Sequence, residues 1–179
     1  IEPKYDMAYS FTDGLALVSE GGREGFIDTD GNYVIKLTDK VDYASFSDGY
    51  ALIRKGNKWG FIDKKGNIVI KPAFYGAADF KEGFASIMEK VGDKYLSGYI
   101  NKKGKMITKA IYEEVDDFQE GMACVKKNGK YGFINKKGKL VVNAIYDNAF
   151  SYENGLAYVA KGSNAYFIDK TGKKVITIK

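Results

Sequence analysis

The sequence predicts an all-β repeat protein, an open solenoid-like array of five units of about 34 residues, each with three short strands. Three observations carry this expectation. A glycine, an apolar residue and an alanine recur at Gly14-Leu15-Ala16, Gly49-Tyr50-Ala51, Gly83-Phe84-Ala85, Gly121-Met122-Ala123 and Gly155-Leu156-Ala157, in steps of 35, 34, 38 and 34 residues. The 14 Tyr, 11 Phe and 21 Gly against 2 Pro favour strands joined by tight turns. Between the turns, apolar residues alternate with period 2, as strands require.

Each element follows in order. An aromatic stands three residues before the leading glycine in every unit: Phe11, Phe46, Phe80, Phe118 and Tyr152. In the second unit Tyr50 to Lys55 is the first strand, Gly56-Asn57 the first turn and Lys58 to Asp63 the second strand. Lys64-Lys65-Gly66 then turns the chain into a third strand, Asn67 to Lys71. In the fourth unit the first turn is Asn128-Gly129, a pair suited to the positive φ angles of a type I′ hairpin. The second turn begins with Asp or Asn and ends in Gly31, Gly66, Gly104, Gly138 or Gly172. An Asx side chain bonds the turn backbone, and glycine takes the left-handed position.

Ala51 and Ile53 share one strand face, as do Ala16 and Val18, Ala85 and Ile87, Ala123 and Val125, and Ala157 and Val159. On the second strand Gly60 and Ile62 alternate with Trp59 and Phe61. Both faces carry apolar residues, so each unit is expected to cover a neighbour on either side. The recurrent small residues predict close approach of neighbouring layers. A dozen residues then connect one unit to the next. These connectors open on an aromatic at Tyr5, Phe74, Tyr112 and Tyr146, with Lys40 in that place in the second unit. They are expected to be pinned by two aromatics and to hold a single helical turn. The units so defined are 1–36, 37–71, 72–109, 110–143 and 144–179 of one continuous array.

These features resemble the WG repeats, a bacterial β-repeat family of this period. The matching parts are the F-x-[DE]-G-x-A opening, the KWGFID core of Lys58 to Asp63, the KKGN turn after it and the I-K-P exit at Ile70 to Pro72. The resemblance covers essentially the whole chain. The signature dipeptide is intact at Trp59-Gly60; Glu24-Gly25, Ser97-Gly98 and Tyr131-Gly132 keep the glycine, and Ala165-Tyr166 keeps neither residue. What the resemblance implies is an all-β repeat fold without assigned chemistry. It supplies no functional residues to carry over.

Five units could also close into a five-bladed, propeller-like ring. Propeller blades need four strands and about 40–45 residues, and the units fall short of both. The divergent first and last copies suit the caps of an open array. The opening IEP and the closing VITIK stand at nearly the same phase of the repeat, which a ring could use by strand exchange. The open array is the expectation and the ring its alternative.

Catalysis finds no support. With 0 His and one Cys, triads and most zinc sites are excluded, and no cofactor or metal is expected. Glu113-Glu114 and Asp116-Asp117 read as a solvated acidic connector, since adjacent residues on an extended segment point apart. Asp28-Thr29-Asp30-Gly31-Asn32 resembles the start of a calcium loop. Its twelfth position is Asp39 rather than Glu, and lysines fill the matching turn of the second unit, so a hairpin turn is the better reading. Cys124 reads as a small apolar strand residue. Tyr33, Tyr50 and Tyr158 read as core aromatics rather than stacking platforms.

Two candidate surfaces remain. Lys64-Lys65, Lys102-Lys103 and Lys136-Lys137 occupy the second turn of their units, while Asp48, Glu82 and Glu120 precede a leading glycine. Stacking in register would line up a basic edge and a separate acidic edge. That basic stripe suits an anionic polymer, or serves only solubility and edge protection. The third unit takes 13 residues from Ala85 to Gly98 where the others take 9. Insertions in repeats map to surface loops, and Tyr95 and Leu96 would make this one partly apolar at its tip.

The expected function is a non-catalytic repeat scaffold that binds a protein partner, with carbohydrate or anionic cell-wall polymer binding as the alternative. Nucleic acid is disfavoured because the lysines sit in turns rather than interleaved with aromatics. No run of about 18 apolar residues occurs, so no membrane insertion is expected. The net charge of +5 permits anionic partners without naming one. The chain opens at Ile1 rather than Met, as expected of a processed protein or an excised piece, and an extracytoplasmic or cell-surface place is favoured over the cytoplasm.

Overall fold

A computed structural model describes residues 4–37 and 45–178. Asp39 and Lys40, the opening Ile1-Glu2-Pro3 and the closing Lys179 lie outside the described residues. Among those described there is no helix, and strands build five four-stranded antiparallel sheets. The first has the order β1 (Met7–Ala8), β2 (Ala16–Glu20), β3 (Arg23–Ile27) and β4 (Tyr33–Lys36). The second runs β5 (Phe46–Ser47), β6 (Tyr50–Lys55), β7 (Lys58–Asp63) and β8 (Ile68–Phe74), followed by the short β9 (Gly76–Ala77). The long strands of the third are β10 (Phe84–Val91), β11 (Lys94–Asn101) and β12 (Met106–Tyr112). The fourth comprises β13 (Glu114–Val115), β14 (Met122–Lys127), β15 (Lys130–Asn135) and β16 (Leu140–Tyr146). The fifth comprises β17 (Asn148–Ala149), β18 (Ala157–Lys161), β19 (Asn164–Ile168) and β20 (Lys174–Ile178).

Three strands per unit is therefore an undercount. Among the described residues the connector carries no helical turn; it supplies a short fourth strand that pairs back onto the first long strand, as Glu114 with Lys126 and Val115 with Val125. The turn that makes this possible is the acid-glycine pair itself. Asp13 and Gly14 take φ of 51° and 82°, Glu120 and Gly121 51° and 81°, the pattern of a two-residue type I′ turn. Isolated bridges close it, Thr12 to Leu15 and Gln119 to Met122. An Asp-Gly hairpin signal was present in the sequence, yet the glycine served there only as an alignment mark. With four strands each, the units match a propeller blade in strand number.

The second turn forms as its residues dictate. The Asp63 Oδ1 accepts the Lys65 and Asn67 N–H groups at 2.9 Å each, and Gly66 takes φ 83°. Asn101, Asn135 and Asp169 accept the matching N–H groups of their own turns.

The signature glycine answers a need within the sheet, not between layers as the small residues suggested. Trp59 pairs with Phe74 and Phe61 with Ile70, so two steps on β7 face four on β8. The extra residues form a bulge whose backbone crowds Gly60: a Cβ there would stand 2.6 Å from the Pro72 nitrogen. The same bulge faces Gly98 and Gly132. In the fifth unit Tyr166 holds this position, and β20 pairs without the bulge, Tyr166 with Thr177 and Phe167 with Ile176. The bulge carries β8, β12 and β16 past the expected unit boundaries and delivers Phe74, Tyr112 and Tyr146 to buried sites.

The chain divides into two compact units, Ile1–Phe80 and Lys81–Lys179. In the first, Leu15, Leu17, Phe26 and Ile35 pack with Phe46, Ala51 and Ile62 of the next sheet. In the second, alternate residues of β14 serve two interfaces. Met122 and Cys124 join Tyr152, Ala157, Val159 and Ile168 of the fifth sheet; Ala123 and Val125 join Tyr99, Tyr112 and Phe118. Both faces of the fourth sheet are buried, as the two-sided apolar pattern predicts. At each interface one connector aromatic meets the second-strand aromatic of the preceding sheet. Centroids lie 4.9 Å apart for Phe46 on Phe26, 4.7 Å for Phe80 on Phe61, 5.1 Å for Phe118 on Tyr99 and 4.9 Å for Tyr152 on Phe133.

Candidate interaction surface

The lysine turns and the acid-glycine turns do not form separate edges. The Glu82 Oε2 accepts the Gly121 N–H at 2.8 Å and pairs with the Lys136 ammonium at 3.1 Å. Glu120 repeats this with Gly155 at 2.9 Å and Lys170 at 3.1 Å. In the first unit Asp13 accepts the Gly49 N–H on its carboxylate and the Lys64 ammonium on its backbone carbonyl. One lysine of the turn therefore staples its unit to the acid of the unit before. The sequence showed both partners but not that stacking offsets them into contact.

The electrostatics follow the geometry. Partial burial alone would raise the Glu82 carboxyl, but the Gly121 N–H and the Lys136 ammonium outweigh it and hold the group below its ordinary value. At Glu120 the Lys170 ammonium leads the same lowering. Lys65, Lys103 and Lys137 are exposed, and their backbone N–H groups bond to the Asx side chain that opens the turn. Lys102 is exposed as well. The six lysines thus divide by role, and the first of each pair lies at the seam between sheets where the contact is described.

The inserted residues of the third unit form no loop. They lengthen the ladder: β10 and β11 have eight residues each, against six in β6, β7, β14 and β15. Lys90 pairs with Tyr95 and Val91 with Lys94 across the Gly92-Asp93 turn. Met88, Lys90 and Tyr95 point to one side of this extension. Tyr95 is 52% and Val91 46% exposed, and Leu96 is half-buried. The result is a rigid two-stranded finger with apolar side chains in solvent.

Acidic and sulfur groups elsewhere are held structurally. Glu113 accepts the Gly129 N–H, Glu114 pairs with Lys126 and the Tyr131 hydroxyl, and Asp116 accepts the Ser151 hydroxyl. The Asp28 carboxylate bonds the N–H groups of Asp30 and Asn32 in its own turn. Burial pushes the Cys124 thiol up to about 12. Tyr33, Tyr50 and Tyr158 are half-buried against Tyr5, Phe80 and Phe150 in turn.

The profile described as the WG containing repeat matches residues 1–23, 25–59, 59–95, 98–131 and 131–164. No curated protein sequence matches the chain significantly. Among solved structures, Hsv2p of Kluyveromyces lactis, a β-propeller, is similar with a TM-score of 0.56 at 12% identity, over 94% of this chain and 63% of that one. A eukaryotic initiation factor is similar with a TM-score of 0.60 at 11% identity, over 96% of this chain and 53% of that one. The chain thus spans less than two thirds of either protein, and the likeness is one of fold.

Proposed function

This chain belongs to the WG containing repeat family, and from that premise we propose that it is a non-catalytic, propeller-like scaffold whose third-unit finger binds a protein partner. The four-stranded sheets, and the likeness in fold to Hsv2p, support a propeller-like fold over the solenoid-like one. The finger carries the binding reading. It is where the repeat lengthens most, with a step of 38 residues against 34 or 35, and it does so with paired backbone that sets Met88, Val91 and Tyr95 in solvent. Apolar and aromatic side chains on a rigid element suit a protein interface, because little conformational entropy is lost on docking.

The anionic-polymer reading has less behind it. Lys64, Lys136 and Lys170 are engaged with the preceding unit, which takes part of the expected basic stripe out of play.

The test removes Lys90, Val91, Lys94 and Tyr95 together, which restores a six-residue hairpin closed by Gly92-Asp93 while Glu89 still faces Leu96. Capture from a lysate of the source cells with the full and shortened chains should lose a discrete partner in the second. A photo-crosslinker at position 95 should trap that same partner. Identical capture by both chains, at equal folded stability, refutes the assignment.

A further inference from the structure

Two positions that keep their character through the first four units both change in the fifth, and the new side chains meet. The signature glycine is Gly25, Gly60, Gly98 and Gly132 in turn, and then Tyr166. On the third strand, the residue paired with the last isoleucine of the second strand is Tyr33, Ile68, Met106 and Leu140 in turn, and then Lys174. The Lys174 ammonium lies 3.5 Å from the centroid of the Tyr166 ring. Because β20 runs past Tyr166 without the bulge, the position has room for a side chain. The ring turns toward the fourth sheet and packs against the cluster that holds Tyr146, Tyr152 and Ile168. In the preceding unit Leu140 packs on the core between the third and fourth sheets, so a lysine in its place gives up apolar packing.

Both new side chains line a cleft of about 670 Å³ between the fourth and fifth sheets, with Lys130, Tyr146, Asp147 and Lys161, a size suited to a small ligand. Its charge is unbalanced, since three ammonium groups face one carboxylate. That carboxylate is already engaged: one Asp147 oxygen takes the Lys130 ammonium, and the other accepts the Gly162 N–H at 2.7 Å. Lys161 and Lys174 form no ion pair among the described residues. Ile145, 43% exposed, and the half-buried Tyr166 give the cleft an apolar wall, and Asn164 adds an exposed amide.

We infer that this cleft binds a small organic dianion, a phosphate monoester or a dicarboxylate on a ring-sized body, held by Lys161 and Lys174 beside the Tyr166 ring. The surplus of two cations matches the charge of such a ligand. Lysine ammonium groups make charge-assisted point contacts that accept either kind of head group. An ammonium held over an aromatic face is in place before the ligand arrives, so less side-chain freedom is lost on binding. The apolar wall then favours an organic anion over a bare inorganic one. The finger takes no part.

The experiment is a titration of the intact chain followed by its amide resonances, in about 50 mM salt. Phenyl phosphate and phthalate are the probes, and phenol is the neutral control. At least one dianion should bind saturably, with a dissociation constant below about 1 mM, and should shift the amides of Lys161, Gly162, Asn164 and Tyr166. Phenol should shift none of them, and the tighter of the two dianions identifies the head group. Lys174→Leu, which restores the residue of the fourth unit, and Lys161→Gln should each weaken binding at least about tenfold. Lys173→Gln, outside the cleft, should leave it unchanged. Absence of saturable binding by both probes, affinity retained in either cleft variant, or an equal loss in Lys173→Gln overturns the inference. The shortened-finger chain should bind the probe as the wild type does, which separates this result from the partner assay.

Discussion

A Cβ placed on Gly132 would stand 2.7 Å from the backbone nitrogen of Ala144, inside the bulge that faces it across the sheet. The half of the WG signature that persists from the first unit to the fourth is thus a backbone requirement. Gly132→Ala and Gly60→Ala should each cost about 2–4 kcal/mol, because a backbone neighbour cannot yield as a flexible side chain would. Gly121→Ala, left-handed but with open space around it, should cost only about 1 kcal/mol. Urea denaturation of the three variants checks the order.

The connector aromatics should divide sharply by position. Tyr152 is fully buried on Phe133, and its hydroxyl donates to the Asp169 carbonyl at 2.8 Å. Tyr152→Ala should cost about 3–5 kcal/mol through the cavity and the lost bond. Phe11→Ala, at the exposed counterpart, should change monomer stability by less than about 0.5 kcal/mol. Thermal unfolding at low protein concentration gives both values.

Acid should loosen the seams. Glu82 and Glu120 are held below their ordinary value of 4.5 in the folded chain. Their contribution is therefore complete above that value and is lost as pH falls through the lowered one. Urea midpoints should stay level from pH 7 to about 5 and fall below about 4.5. The double variant Glu82→Gln, Glu120→Gln should start lower and fall less steeply over the same window.

Cys124 should report unfolding. It is 2% exposed, and burial followed by the nearby Asp116 and Glu114 charges lifts its thiol to about 12. A thiol reagent at about pH 8 should therefore react no faster than the chain opens. Fast labelling of the native protein would contradict the packing around β14.

The five-fold register, the strands and both turns were legible because each depends on residues a few positions apart. The Asx side chain at Asp63 and the Gly66 that follows it fix the second turn wherever the unit sits. The fourth strand escaped notice because Glu114-Val115 is only two residues long, too short for a period to show. The bulge was hidden for a different reason. Gly60 reads as small in either setting, and only the partner strand reveals which neighbour it avoids. At the candidate surface the lysines were visible, but Lys136 and Glu82 are 54 residues apart and meet through stacking alone. The finger shows the reverse case: its four extra residues were plain in the spacing, while their pairing into strands rested on Gly92 closing the turn at the right place.

The Gly49, Gly121 and Gly155 N–H groups all donate to a carboxylate that lies earlier in the chain. A polypeptide leaving the ribosome therefore presents each acid before the backbone group that will latch it. The first, third and fourth sheets each wait on the one synthesised after them, so consolidation there advances with translation and a nascent chain halted after any of the three carries an unfinished joint at its newest edge.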